Sequence, residues 1–310
     1  MGSRPLECGP RLSGRGRFAE YTRQLGGVLA PRSTHSSRRP MELIKPPTLS
    51  EFRRLIQPFV VAHEAEHGLI YGIAGTSAPP ADAYCAAVVE ENVVVAAAVR
   101  TLAKMALSRE DAPGAIAAIA RDTIHDARLH GLLGPAGSLR EFANASGRRW
   151  QDGRGSTIYD CRSVVEPPPG IGSRRVAASA DRALVARWVE AFLDEAFPDG
   201  RPHTDGEAAA DRYIANGTMH LWIVGDAPVA CAAALGPTPN AIRIGGVYTP
   251  PENRRHGYAS ALVADLTRDQ LDRGRAFVYL YADRTNPTSN SIYQKIGYRR
   301  VAESDELWLE

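Results

Sequence analysis

Ile244-Gly245-Gly246-Val247-Tyr248-Thr249-Pro250-Pro251-Glu252-Asn253-Arg254-Arg255-His256-Gly257-Tyr258-Ala259-Ser260 leads an apolar strand into a basic, glycine-bearing turn and then into a helix. Beyond the turn, Leu262, Val263 and Leu266 join Ala259 in the i, i+3, i+4, i+7 stripe of an amphipathic helix that runs to about residue 273. The first turn of such a helix offers backbone N–H groups without intrahelical partners, at the positive end of its dipole. Arg254, Arg255 and His256 add charge beside it, and Gly257 lets a phosphate come close to the backbone. The segment therefore reads as an anion cradle suited to a pyrophosphate. It lacks both the Gly-Lys-Ser/Thr ending of a P-loop and the three-glycine spacing of a dinucleotide fold.

The flanking sequence supplies the rest of an alternating α/β unit. Phe277-Val278-Tyr279-Leu280-Tyr281-Ala282-Asp283 is β-rich and alternates, as a strand does. Asn286-Pro287 then opens a helix with a capping Asn and a proline in the first helical position. Asn286, Ser289 and Tyr293 share one face of it, and Gly297 closes it before two expected strands at 298–301 and 306–309. Upstream, residues 175–178 read as a strand and 181–197 as an amphipathic helix with Leu184, Val185, Trp188, Val189 and Phe192 on its apolar stripe. A second helix over 206–215 and a hairpin of 221–224 with 229–235 lead into the motif strand at 241–249.

Arg254-Arg255-His256-Gly257-Tyr258-Ala259 resembles the Arg/Gln-x-x-Gly-x-Gly/Ala signature of the GNAT N-acetyltransferase superfamily. The following strand, the Asn- and Tyr-bearing helix and the Ile296-Gly297-Tyr298 ending resemble the family's second motif, and the order of elements matches from about residue 172 to the C-terminus. The resemblance implies an α/β fold with a mixed, mostly antiparallel sheet flanked by helices, and acetyl-CoA as co-substrate without a metal. It implies pantetheine along Gly246, Val247, Tyr248 and Thr249, and the diphosphate on Arg254, Arg255, His256, Gly257, Tyr258, Ala259 and Ser260. Asn286 and Ser289 complete the implied coenzyme contacts. An amine acceptor, a small molecule or a peptide, would attack the thioester directly in a ternary complex, with a backbone N–H near Val247 polarising the carbonyl. Tyr293 is the implied acid for the leaving sulfur. No carboxylate lies on the motif strand, so Asp283 is the candidate base; Glu190, Asp194 and Glu195 are candidates for attracting a cationic amine.

The first half echoes this plan. Residues 88–99 align with the hairpin at 223–234 at an offset of about 135, and Arg54 and Phe59 fall where Arg187 and Phe192 do, which points to a duplicated domain. The copies differ at the turn, where Leu107-Ser108-Arg109-Glu110-Asp111-Ala112-Pro113-Gly114 puts two carboxylates in place of the basic cluster. The expected organisation is a leader or non-native extension at 1–40, a degenerate GNAT-like domain at 41–165 ending in strands over 150–165, a Pro-rich linker at 166–171 and a catalytic GNAT domain at 172–310. The degenerate copy is expected to have lost coenzyme binding and to serve as scaffold or as one wall of the acceptor pocket.

His63-Glu64-Ala65-Glu66-His67 is a literal His-Glu-x-x-His, the pattern of zinc peptidases. Gly68 is expected to end its helix and no third ligand follows on a helix, so the solvated end of an amphipathic helix is the plainer reading. Cys8, Cys85, Cys161 and Cys231 show no paired spacing, which fits a reducing, cytoplasmic setting. No run reaches the roughly twenty apolar residues of a membrane span. Residues 1–40 hold eight Arg, no Lys and two acids, net +6 against +2 for the chain. That is a transit-peptide composition, with an organellar location as the alternative. Positive charge is otherwise confined to the phosphate turn, which argues against a nucleic-acid partner. A protein that only binds acyl-CoA is the non-catalytic alternative, and oligomeric state is not legible.

Overall fold

A computed structural model of the chain describes residues 40–76, 79–168, 171–197 and 205–310; the expectations for residues 1–39 and for positions 169–170 of the linker lie outside the described residues. In the first half the order is β1 (Glu42–Ile44), α1 (Leu49–Ala62), α2 (Glu64–Ile73), β2 (Tyr84–Glu90), β3 (Val93–Arg100), β4 (Lys104–Leu107), α3 (Ala115–Asp122), β5 (Gly131–Gly134), α4 (Ala136–Ser146) and β6 (Trp150–Cys161). The second half repeats it as β7 (Ser173–Val176), α5 (Arg182–Ala196), α6 (Gly206–Ala215), β8 (Met219–Val224), β9 (Ala227–Leu235), β10 (Ala241–Tyr248), α7 (Tyr258–Asp272), β11 (Phe277–Asp283), α8 (Pro287–Lys295) and β12 (Arg299–Leu309).

The strands form one twelve-stranded sheet in the order β1-β2-β3-β4-β5-β12-β6-β11-β10-β9-β8-β7. Each half thus sends its last strand across: β12 pairs with β5, β6 pairs with β11, and β6 and β12 pair antiparallel along their length. The segments expected to be pairs of closing strands are single long ones. β6 runs unbroken for 12 residues, and β12 keeps its pairing through two register shifts, at Arg300/Ala302 and Asp305/Leu307. A bulge absorbs an extra residue without ending a strand.

Helices cover both faces. Val278, Leu280 and Ala282 of β11 alternate into the core under α7 and α8 with Leu262, Val263, Leu266 and Tyr293. Tyr279 points the other way, with Phe277 and Ala65. On that face Trp188 and Val185 of α5 close a core over Leu221 and Cys231, while α1 and α2 pack over β2, β3 and β4 through Phe52, Ile56, Val60 and Ile70. The first half's opposite face is closed by Ile116 and Ile119 of α3 and Leu139 and Phe142 of α4.

One helix corrects the expectation drawn from its glycine. α2 begins at Glu64 and passes through Gly68 to Ile73, so Gly68 does not end it. A Cβ on Gly68 would lie 2.2 Å from the Tyr279 hydroxyl. The glycine is there because β11 comes close, and packing outweighs its poor helix propensity of about 1 kcal/mol. Glu64 and His67, expected on a solvated helix end, are buried.

Candidate coenzyme and acceptor site

β10 and β11 run parallel and pair from Ala241↔Phe277 to Ile244↔Leu280. Past that point they part. β11 stays paired with β6 on its other edge as far as Asp283↔Ser156, while β10 continues against β9 alone. The fork leaves the inner edge of β10, residues 245–248, with backbone groups that no strand among the described residues satisfies, an edge ready to accept an extended ligand. Pairing of β10 with β9 shifts register between Gly245 and Tyr248, and Gly246 sits at φ +59°. This bulge re-aims the backbone at the fork. Val247 packs on the α7 core, and Tyr248 is buried with its ring 6.3 Å from that of Trp188, so these two residues offer the fork mainly backbone. The Thr249 hydroxyl is buried without a hydrogen-bond partner among the described residues.

The turn then reaches α7. Gly257, at φ +80°, is its N-cap, and no side chain among the described residues caps that end; the N–H groups of Tyr258, Ala259 and Ser260, in the first turn, have no intrahelical acceptor. A Cβ at Gly246 or at Gly257 would meet no atom within 4 Å. Both positions face open space that a ligand can fill, and together with the orphaned Thr249 hydroxyl they fit a coenzyme whose chain follows β10 and whose diphosphate meets α7. The basic side chains are less uniformly available. Arg254 donates through Nε to the Thr249 carbonyl at 2.9 Å and through Nη2 to both Glu195 oxygens at 2.6 and 2.8 Å. That engages Glu195, proposed from sequence to attract an amine, with the turn instead. The His256 ring stacks on Tyr258, centroids 5.3 Å apart. Arg255, exposed at φ +67°, makes no ion pair among the described residues.

On α8, Asn286 accepts from the Ser289 N–H at 3.1 Å and Ser289 Oγ donates to the Asn286 carbonyl at 3.2 Å, so both residues chiefly cap the helix. Tyr293 is buried between Tyr159 and Tyr298, with ring centroids 6.4 and 6.0 Å away. Its hydroxyl makes no hydrogen bond among the described residues, and burial pushes its pKa up to about 12. Asp283 lies on the opposite face of β11 from this core. Its Oδ1 accepts from the Thr285 N–H and hydroxyl at 2.8 and 2.7 Å, and its Oδ2 from Arg154. Burial raises the carboxyl pKa, but the Thr285 bonds and the Arg154 guanidinium more than offset this and hold it below the ordinary value. A carboxylate so engaged is a weak base.

β6, the strand crossing from the first half, brings residues to this site that the sequence reading did not single out. Arg154 bridges Asp283 and the Ala196 carbonyl at the end of α5, with its guanidinium 4.8 Å from the Phe197 ring centroid. The Tyr159 hydroxyl donates to Asn290 Oδ1 at 2.9 Å, and Asn290 Nδ2 donates to the Asp283 carbonyl at 2.8 Å. No local pattern marks these residues, because their role depends on which strand β6 pairs with.

The corresponding turn of the first half is filled from within. Glu110 Oε2 accepts from the Ile116 N–H at 2.7 Å in the first turn of α3, whose N-cap Gly114 has φ +87°. An internal carboxylate thus stands where an anion would sit. The His-Glu-x-x-His segment is also committed elsewhere. Glu64 accepts from the backbone and side-chain N–H groups of Asn240 at 2.7 and 2.8 Å, and His67 stacks on Phe59 at 4.6 Å. Among the described residues, no group of three or more His, Cys, Asp or Glu is placed to hold a metal ion, and no helix is long and apolar enough to cross a membrane.

Comparison with known proteins agrees with this fold. Residues 226–309 match the FR47-like protein family, a stretch spanning β9 to β12 and the whole fork. Similar solved structures include a Drosophila protein, 15% identical, with a TM-score of 0.61 over 86% of this chain and 98% of that one. A GCN5-related N-acetyltransferase from Sphaerobacter thermophilus is 16% identical, with a TM-score of 0.58 over 86% of this chain and 95% of its own. A tandem GNAT protein from the clavulanic acid biosynthesis pathway is 13% identical, with a TM-score of 0.52 over 87% of this chain and 98% of its own. No curated protein matches the sequence. The chain has the GNAT fold in its tandem form.

Proposed function

We propose that this chain is an acetyl-CoA-dependent N-acetyltransferase with one working site, in the second half. The observation that carries the proposal is the forked edge of β10 followed, after the 249–257 turn, by a helix N-terminus with no side-chain cap among the described residues, with open space at Gly246 and Gly257. The β10 edge at 245–248 binds the extended pantetheine, and the N–H groups of Tyr258, Ala259 and Ser260, with Arg255 beside them, bind the diphosphate. A backbone N–H at the bulge near Val247 polarises the thioester carbonyl. The acceptor nitrogen attacks that carbon, the C–S bond breaks, the sulfur leaves with the bonding pair and the amine proton passes to solvent.

Tyr293 supplies a hydrogen bond to the departing thiolate. With the tyrosine at about 12 and a thiol at about 8.5, complete proton transfer is uphill by roughly 5 kcal/mol, so stabilisation of the thiolate rather than its protonation is the role of this hydroxyl. Asp283 is assigned a positioning role: with Arg154 it holds the end of β11 to the end of α5. The first half, residues 41–165, supplies β6 and a wall over the acceptor face, with Glu110 in place of a diphosphate at its own turn. Acceptor-dependent thiol release from acetyl-CoA, followed across a panel of amines, tests the reaction. Release that rises with amine supports it; coenzyme binding without release for any amine leaves only a binding protein.

A further inference from the structure

We propose that the acceptor is an amine that also carries a carboxylate, and that Arg243 selects it. The proposal rests on the acetyl-transfer reading above. Ile242 and Ile244 turn into the α7 core, so Arg243 projects from the opposite face of β10, the face of Tyr279, its register partner on β11. The side chain does not stay level with that partner. Its guanidinium carbon lies 6.0 Å from the ring centroid of Tyr281, one pair further on, so it leans toward the fork that opens past Ile244↔Leu280. Gly245, where the fork opens, is on the same face, roughly 7 Å along the strand.

Arg243 is half-buried and makes no hydrogen bond or ion pair among the described residues. The carboxylates of α2 and β11 on this face are engaged: Glu64 by Asn240, Asp283 by Arg154 and Thr285, and Glu66 by Arg109 at 3.9 Å. Half-buried and unpaired at the fork, the guanidinium is free to take a ligand, and a planar carboxylate matches its donor fork. A ligand whose carboxylate docks on Arg243 and whose amine is a few bonds away would present that amine at the fork.

The test compares acceptors that differ only in charge, alanine against alaninamide and 4-aminobutyrate against its amide, with acetyl-CoA saturating and thiol release as readout. The amide has the more acidic ammonium and so more free amine at neutral pH; a preference for the carboxylate must therefore come from binding. The wild type is expected to show at least a tenfold higher kcat/KM for the carboxylate member of one pair. Arg243→Gln should abolish that preference, Arg243→Lys should keep part of it, and neither should change acetyl-CoA affinity. Equal or better use of the amides by the wild type, or an intact preference in Arg243→Gln, overturns the proposal. Calorimetric binding of N-acetylalanine against N-acetylalaninamide to the CoA-loaded protein reads the same preference without turnover: no preference there also overturns it, whereas a preference without thiol release from any amine defeats only the catalytic reading.

Discussion

Replacing Tyr293 with Phe removes one hydroxyl from a buried ring that packs between Tyr159 and Tyr298. The hydroxyl makes no hydrogen bond among the described residues, so folding loses little and the packing of the ring is kept. If it bonds the thiolate that forms as the C–S bond breaks, the interaction exists in the transition state and not in the resting enzyme. A hydrogen bond to a charged group contributes about 1.5–3 kcal/mol, or roughly a 10- to 150-fold fall in kcat, with acetyl-CoA affinity unchanged. The assay is thiol release at saturating acetyl-CoA beside calorimetric titration of the coenzyme. Unchanged kcat would refute the role, and a fall in coenzyme affinity as large as the fall in kcat would make Tyr293 a binding residue instead.

Other consequences follow from single side chains. Asp283→Asn should leave the pH profile of the rate unchanged above pH 6 while lowering stability. A carboxyl whose folded pKa is depressed contributes stability that is present above its unfolded value near 4 and lost as pH falls through the folded pKa; a flattened alkaline limb of the rate would restore Asp283 as the base. His67, whose pKa burial lowers to about 4, behaves oppositely in charge: the unfolded chain takes up its proton first, so roughly 3 kcal/mol of stability is lost as pH drops from 6.5 to 4. Among the described residues neither of its ring nitrogens meets a hydrogen-bond partner, so His67→Phe should raise the urea midpoint at pH 5 more than at pH 7.5, and equal shifts would refute this. Gly68→Ala should cost about 1–3 kcal/mol through the Tyr279 hydroxyl, measured by denaturant unfolding; a neutral effect would show that the close approach is relaxed in solution.

Much of the second half was legible because its signals are local. Alternation fixed β11 at Phe277–Asp283, Asn286-Pro287 fixed the start of α8, and the apolar stripe fixed α7, each within a residue or so. The turn was legible for the same reason, since Gly257 and its flanking cations are contiguous. What stayed hidden depends on partners distant in sequence. Nothing in Trp150–Cys161 indicates that it pairs with β11 and β12 and so brings Arg154 to Asp283 and Tyr159 to Asn290. Gly68 looks like a helix end by propensity, and only the Tyr279 hydroxyl explains it. Arg254 reads as a phosphate ligand until Glu195 is seen on it.

The central claim is a single coenzyme site at the β10 fork and the α7 N-terminus, and calorimetric titration of acetyl-CoA into the wild type and Gly257→Glu tests it most directly. Because a Cβ at Gly257 meets no atom within 4 Å, the cost to folding is confined to about 1–2 kcal/mol for a left-handed residue, while the new carboxylate occupies the cradle. One site per chain in the wild type and none in the variant is the expected result. Two sites, or binding that Gly257→Glu leaves intact, would contradict it.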